Sequence, residues 1–177
     1  MSAVKLIGPH DLVEVGPGIY YSRYQLPMID HGVVELLKDA ARSIPRRRAR
    51  FCAHPSPSAE QHDMLIASHR ETYVAPHRHL DHSESFLIVE GSADILLFDE
   101  RGGLQEVVKM GPPESGFPFF YRMPQQQFHS LSIDSEILVF LESTKGPFLP
   151  GSSENASWAP AADDTAKGRA FIAALLG

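Results

Sequence analysis

From about residue 49 onward, short apolar runs alternate with turn residues. The runs cover 64–68, 71–77, 84–90, 93–98, 104–110, 117–123, 128–133 and 136–143. The breaks between them hold Gly91, Asp99, Gly102, Gly103, Gly111, Pro112, Pro113 and Pro124. Many short strands punctuated in this way predict an all-β sandwich or barrel. The 61–68 stretch also fits a helical turn. Before this region the texture differs. Residues 16–29 (GPGIYYSRYQLPMI) read as one short edge element between Gly and Pro. Asp30 then opens a helical pattern with Val33, Val34, Leu36, Leu37, Ala40 and Ala41 on one face, and Pro45 closes it. Residues 145–162 are rich in Gly, Pro and Ser and read as a surface loop. Asp163 or Asp164 caps a last helix through Leu176, with Ala170, Phe171, Ala174 and Leu175 apolar. The expected organisation is an N-terminal extension with one helix (1–48), a barrel (49–150), and a C-terminal loop and helix (151–177).

Composition narrows the class. A chain of 177 residues, 43% hydrophobic, buries a core without cross-links, and the single Cys52 excludes an internal disulfide. A net charge of -6 argues against general nucleic-acid binding, which needs a basic footprint. The first residues carry Asp and Glu and lack the apolar core of a secretory signal, and no apolar run is long enough to span a bilayer. The expectation is a cytoplasmic protein with no nucleic-acid or membrane partner and with a small-molecule ligand.

The segment PHRHLDHSESFLIVEG, residues 76–91, carries the chemistry. His77 and His79 are two apart, so on a strand both imidazoles point to the same face. Glu84 opens the next strand, and LDHS reads as the hairpin turn that brings its carboxylate back beside the histidines. MPQQQFHSLSI, residues 123–133, supplies His129 from far along the chain, on a strand expected next to the first. Three imidazoles and one carboxylate suit one divalent transition metal, Fe, Mn, Zn, Ni or Co, and such sites keep open positions for water or substrate. Imidazole ligates only when neutral, so binding weakens as pH falls.

Alternation then nominates neighbours. Tyr73 and Ala75 share the face of His77, and Phe86 and Ile88 that of Glu84. Tyr121 lies with Met123, and Glu142 with Leu138 and Phe140. Tyr73, Tyr121 and Glu142 are candidates for proton transfer. Gln127, Arg46 and Arg48 are candidates for ligand binding. The run Arg46–Arg50 could grip phosphate or carboxylate, or it could simply complement a helix C-terminus. His82 reads as a solvent-facing turn residue. His10, His31, His54, His62 and His69 have no ligand-like spacing and read as surface or core residues. Cys52 reads as a small core filler, and Trp158 as the side chain that packs the C-terminal loop onto the barrel.

The spacing H-x-H-x4-E-x6-G, here His77, His79, Glu84 and Gly91, resembles the first conserved motif of the cupin superfamily. Pro124 and His129 resemble its second motif. The superfamily's opening glycine in the first motif falls at Glu71. In the second motif its glycines fall at Pro118 and Gln126, and its asparagine at Ile133, so the turn before His129 must form without glycine. RRRARFCAH, TYVAPHRHLDHSESFLIVEG, GPPESGFPFFYRMP and SWAP resemble, more closely, the WbuC family of cupin-fold metalloproteins, named from polysaccharide (O-antigen) gene clusters. The resemblance implies a double-stranded β-helix, or jelly roll, with short terminal helices, a bound metal and a homodimer. It does not supply a reaction. The readings that remain are a metal-dependent enzyme on a sugar or nucleotide-sugar derivative (an isomerase or epimerase), an Fe(II)-dependent oxygenase, a non-catalytic metal-dependent binding module, and a scaffold with a structural metal.

Overall fold

Asp30 begins α1 as read from the sequence, its carboxylate accepting from the Val33 backbone N–H at 3.3 Å. The computed structural model describes residues 4–177. In chain order the elements are β1 (Val4–Ile7), β2 (Leu12–Gly16), β3 (Ile19–Ser22), β4 (Leu26–Ile29), α1 (His31–Ser43), β5 (Arg48–Cys52), β6 (Gln61–His69) and β7 (His77–His79). They continue with β8 (Glu84–Glu90), β9 (Ala93–Phe98), β10 (Leu104–Met110), β11 (Phe120–Met123), β12 (Phe128–Ile133), β13 (Ile137–Lys145), β14 (Ser153–Asn155) and α2 (Thr165–Leu176).

Two sheets face each other. One has the order β10-β9-β12-β7-β14, the other β11-β8-β13-β6-β5-β3-β2. From β6 to β13 the chain passes back and forth between the sheets, with one hairpin, β9–β10, inside a sheet. That path is a jelly roll, a double-stranded β-helix. Side chains of the two inner faces, among them Phe86, Ile88, Ile95, Leu131, Leu138 and Phe140, fill the space between.

Both sheets are also covered outside. Val33, Leu37 and Ala41 of α1 pack on Phe51, Leu65, Ala67 and Val139. This second burial explains why β6 and β13 read as near-continuous apolar runs, and it settles 61–68 as strand, where the pattern also allowed a helical turn. Ile172 of α2 packs with Trp158, Tyr73, Leu96, Phe98 and Phe128 on the opposite outer face.

Several expectations are corrected. Residues 16–29 are not one edge element: β3 and β4 lie within them, and β3 pairs with β2 and runs parallel beside β5, extending the seven-stranded sheet. Residues 145–162 contain β14, which pairs with β7. The buried face of α2 is Gly168 and Ile172, with Ala170 and Ala174 exposed. Gly168 sets that phase, because a Cβ there would overlap the Tyr73 ring. LDHS is not a hairpin turn: β7 and β8 belong to different sheets, so residues 80–83 cross between them. Gly91 closes β8 at a φ of +84°, where a Cβ would collide with the Ile137 carbonyl. Among the described residues no helix is long and apolar enough to cross a membrane.

Candidate metal centre

The crossing between sheets is what assembles the site. His77 and His79 project from β7, and His129 of β12 lies directly opposite His77 in the same sheet. Glu84 opens β8 on the facing sheet, in register with Met123 of β11 and Thr144 of β13. One ring nitrogen from each of His77, His79 and His129 lies within 4.8 Å of the others. Glu84 reaches the group from across the barrel, its Oε2 3.1 Å from His79 Nε2 and its Oε1 3.2 Å from His129 Nε2. Glu84 and His129 are buried, and His77 and His79 are half-buried.

Each imidazole is pinned through its other nitrogen. His77 Nδ1 lies 2.9 Å from the Ala75 carbonyl, and His129 Nδ1 lies 3.0 Å from the Gln127 carbonyl. A carbonyl can only accept, so both rings carry the proton on Nδ1 and turn Nε2 toward the centre. His79 Nδ1 lies 2.9 Å from Ser153 Oγ on β14. Such partners fix the tautomer and orientation of metal-ligating histidines. His129 Nε2 is buried and makes no aligned hydrogen bond, although Glu84 is close by. An unprotonated nitrogen beside a carboxylate oxygen needs a cation between them, a proton or a metal ion. The donor set therefore fits a divalent transition ion on the residues present.

The electrostatics agree. Burial, aided by nearby His129, pushes His77 down to about 4, so it is a neutral ring near physiological pH. Burial by itself would raise Glu84, but His129 and His79 outweigh it and hold the carboxyl well below the usual carboxylate range. Burial likewise works against the charged form of His129, yet adjacent Glu84 raises it above the ordinary histidine value.

A cavity of about 160 Å³ adjoins the four side chains, and Phe86, Phe140, Tyr121, Glu142 and Arg48 line it. Tyr121 donates to Glu84 Oε1 over a long 3.4 Å, and its hydroxyl is raised well above 10 by burial and by Glu84 and Glu142. Burial, reinforced by Glu84, also raises Glu142, against the pull of Arg48 with Nη2 3.7 Å away. Arg48 faces inward because β5 continues the seven-stranded sheet beside β6, opposite Ser68. Arg46 sits at the rim, on the walls of neighbouring cavities.

Two candidates lie elsewhere. Tyr73 is not beside His77 on a strand. The ladder of β7 starts only at His77, after Pro76, so the alternation does not extend back. The Tyr73 hydroxyl donates to the Pro160 carbonyl at 3.0 Å, and the ring packs under α2. The Gln127 side chain donates to the Phe98 and Phe128 carbonyls and lines a separate apolar groove with Ile95, Met110 and Met123, and it is the backbone carbonyl of Gln127 that serves the site. His82 is not solvent-facing. Its ring lies 4.5 Å from that of His79, and its Nδ1 is 2.7 Å from Asp81. Ser153 and Gln126 carried no signal as supports of the site, since their roles depend on β14 and on the loop before β12 meeting β7.

Residues 29–110 match a family model described as a domain of unknown function (DUF6016), a stretch that includes His77, His79 and Glu84 and ends before His129. No curated protein matches the chain. Among solved structures it is similar to protein SO0799 of Shewanella oneidensis, with a TM-score of 0.47 and 14% identity over 58% of this chain and 65% of that one. It is similar to an oxalate decarboxylase of Bacillus subtilis, with a TM-score of 0.48 and 19% identity over 61% of this chain and 27% of that one. It is also similar to an uncharacterized conserved protein with a double-stranded β-helix domain from Klebsiella pneumoniae, with a TM-score of 0.47 and 12% identity over 62% and 79% of the two chains. The chain thus spans less than two thirds of the first protein and about a quarter of the second. These similarities are of fold. The order of its own two sheets makes the chain a double-stranded β-helix with a cluster of histidines able to hold a metal ion.

Proposed function

We propose that the chain is a cupin-type metalloprotein in which His77, His79, Glu84 and His129 hold one divalent transition ion, Fe, Mn, Zn, Ni or Co. We further infer that it acts on a small polar ligand, a sugar or nucleotide-sugar derivative of polysaccharide biosynthesis. The observation that carries the first part is the buried, unaligned Nε2 of His129 facing Glu84, in a ring whose Nδ1 is already committed. The ligand class rests on the resemblance of residues 46–160 to the WbuC family and on the polar groups around the cavity.

When bound, such an ion supplies Lewis acidity to an oxygen of the ligand. The chain's own groups would handle protons. Glu142 keeps its proton to higher pH than an exposed glutamate and faces the same cavity as Glu84, which suits it to donate or take a proton at the ligand. Arg48 opposite it would hold the charge that Glu142 acquires on losing that proton.

The experiment is metal analysis of protein purified without added metal, repeated on His77→Ala, followed by a panel of nucleotide sugars and sugar phosphates with Fe, Mn, Zn and Ni. Stoichiometric metal in the wild type and its loss in the variant support the centre. A wild type that neither carries metal nor can be loaded rejects it. The Arg48–Glu142 contact favours a second reading, a non-catalytic binding module in which this pair is a fixed support. In that case ligands raise the melting temperature without being converted.

A further inference from the structure

A second and larger cavity, about 340 Å³, adjoins the metal pocket and shares His79 and Glu142 with it. The four ligands do not explain its chemistry. Arg46, Arg50 and Lys145 stand on its wall, with His54, His62 and His82 among them, and Glu142 is the one carboxylate lining it. Glu142 already faces Arg48. The sequence builds this wall by strand alternation. Arg48, Arg50 and Cys52 share the inner face of β5, with Arg50 opposite Ile66 and Cys52 opposite Met64 on β6. His62 lies on the same inner face of β6, opposite Thr144 of β13. Its ring is held by parallel stacking on His54, with centroids 4.0 Å apart.

Two residues on this wall each carry a nitrogen left unpaired just behind it. Arg50 Nε and His62 Nε2 are both buried without a hydrogen-bond partner, and His62 as a whole is only 5% exposed. A buried polar group left unpaired costs about 1–3 kcal/mol, so native proteins rarely keep one without a use. Here both belong to residues lining one cationic cavity.

We propose that this cavity binds the phosphoryl group of a phosphorylated small molecule whose other end reaches the metal pocket. Three side chains with permanent positive charge exceed what a single carboxylate needs. They match a phosphate dianion, whose terminal oxygens accept from several donors at once. His79 and Glu142 line both cavities, so a ligand seated in one lies against residues of the other. The far end of the ligand rests on the metal reading above, whereas the phosphoryl site rests on its own cavity and the cationic side chains that line it.

The test is calorimetry on the full chain, prepared in phosphate-free buffer, with inorganic phosphate and with glucose 1-phosphate, each against metal-loaded and metal-free protein. Saturable binding of inorganic phosphate is expected in both forms. It should weaken about tenfold or more in Arg50→Gln, with metal content unchanged. Lys145→Gln alters an exposed position, so it tests the same site without touching the core. Glucose 1-phosphate should bind more tightly than inorganic phosphate in the metal-loaded form alone. No saturable binding of either probe at tens of millimolar overturns the site, as does unchanged affinity in both variants. Phosphate binding that survives in His77→Ala while metal is lost supports the phosphoryl site as separate from the metal. Equal preference for the sugar phosphate with and without metal overturns the bridging of the two cavities.

Discussion

Nε2 of His129 lies 3.2 Å from Oε1 of Glu84, inside the barrel and out of hydrogen-bond alignment. With Nδ1 of His129 donating to Gln127, that arrangement is stable only when a cation lies between nitrogen and carboxylate. Without metal a proton on Nε2 would meet the same need, and Glu84 favours it by raising His129 above the ordinary histidine value. Metal binding must therefore displace protons. Calorimetric metal titrations near neutral pH, run in buffers of different ionisation enthalpy, should give heats that depend on the buffer, with protons released. Heats independent of the buffer would reject the shared-proton arrangement.

Removing the metal should destabilise the wild type. An ion at a hundred times its dissociation constant adds about 2.7 kcal/mol to stability. A chelator should lower the melting temperature of the wild type and leave His77→Ala or Glu84→Gln nearly unmoved. If the chelator has the same effect on wild type and variants, the four residues are not the ligands.

Ser153 makes the Nδ1 contact of His79 from β14, which pairs with β7 in register Ser153 with His79. Arg78, between His77 and His79, bonds Glu154 of the same strand at 2.8 Å. Loss of an outer-shell partner typically costs 10–100-fold in metal affinity. Ser153→Ala should weaken metal binding by about tenfold while leaving the melting temperature of the metal-free protein within a few degrees. Unchanged affinity in competition with a chromogenic chelator would show that His79 is oriented by other contacts.

Much of this site was legible because it follows from period and spacing. The bounds of β8, β9, β10 and β12 coincide with the apolar runs, since Gly91, Asp99, Gly102, Gly103 and Gly111 interrupt the chain where it must turn. The meeting of His77, His79 and His129 follows from a two-residue step plus a strand pairing, whereas Glu84 arrives from the facing sheet and not by the hairpin expected. Other features depend on contacts that no local pattern carries. Tyr73 was misplaced because alternation was extended through Pro76, where the ladder has not yet begun. His54 and His62 gave no signal, because their stacking arises from the antiparallel packing of β5 and β6. The inward aim of Arg48 required knowing that β5 belongs to the barrel's own sheet.

The pH response of the metal-free fold has a definite sign. His77 is held to about 4 in the folded state against the 6.5 of an ordinary histidine. Its folded value is depressed, so between those values the unfolded chain binds more protons, and stability falls as pH drops through the window. The full effect is on the order of 3 kcal/mol for one buried histidine. His129 acts in the opposite sense, its contribution being present at low pH and lost as pH rises through its raised value. Comparing metal-free wild type with His77→Gln isolates the contribution of His77. Denaturation midpoints of the variant should fall less between pH 6.5 and 4. Parallel curves would mean that His77 is solvated in the folded protein.

The turn before His129 shows how the missing glycine is replaced. Gln126 occupies the left-handed region at a φ of 69°, which costs an L-residue about 1–2 kcal/mol. Two bonds to the end of β7 and its loop hold it there: its backbone N–H donates to the His79 carbonyl at 2.8 Å, and its Nε2 donates to the Leu80 carbonyl at 2.7 Å. Gln126→Gly relieves the strain but loses the side-chain bond and adds freedom to the unfolded chain, each worth about 1 kcal/mol. Its stability should lie within about 1 kcal/mol of wild type by these opposing terms. Gln126→Val keeps the left-handed demand, adds β-branching that resists it, and loses the same bond. It should cost more than about 2 kcal/mol and weaken metal binding too, because the His79 carbonyl is the anchor. Urea denaturation of the two variants separates these outcomes. Equal loss in both would place Gln126 outside the left-handed region in solution, and the turn would then owe its shape to Pro124 alone.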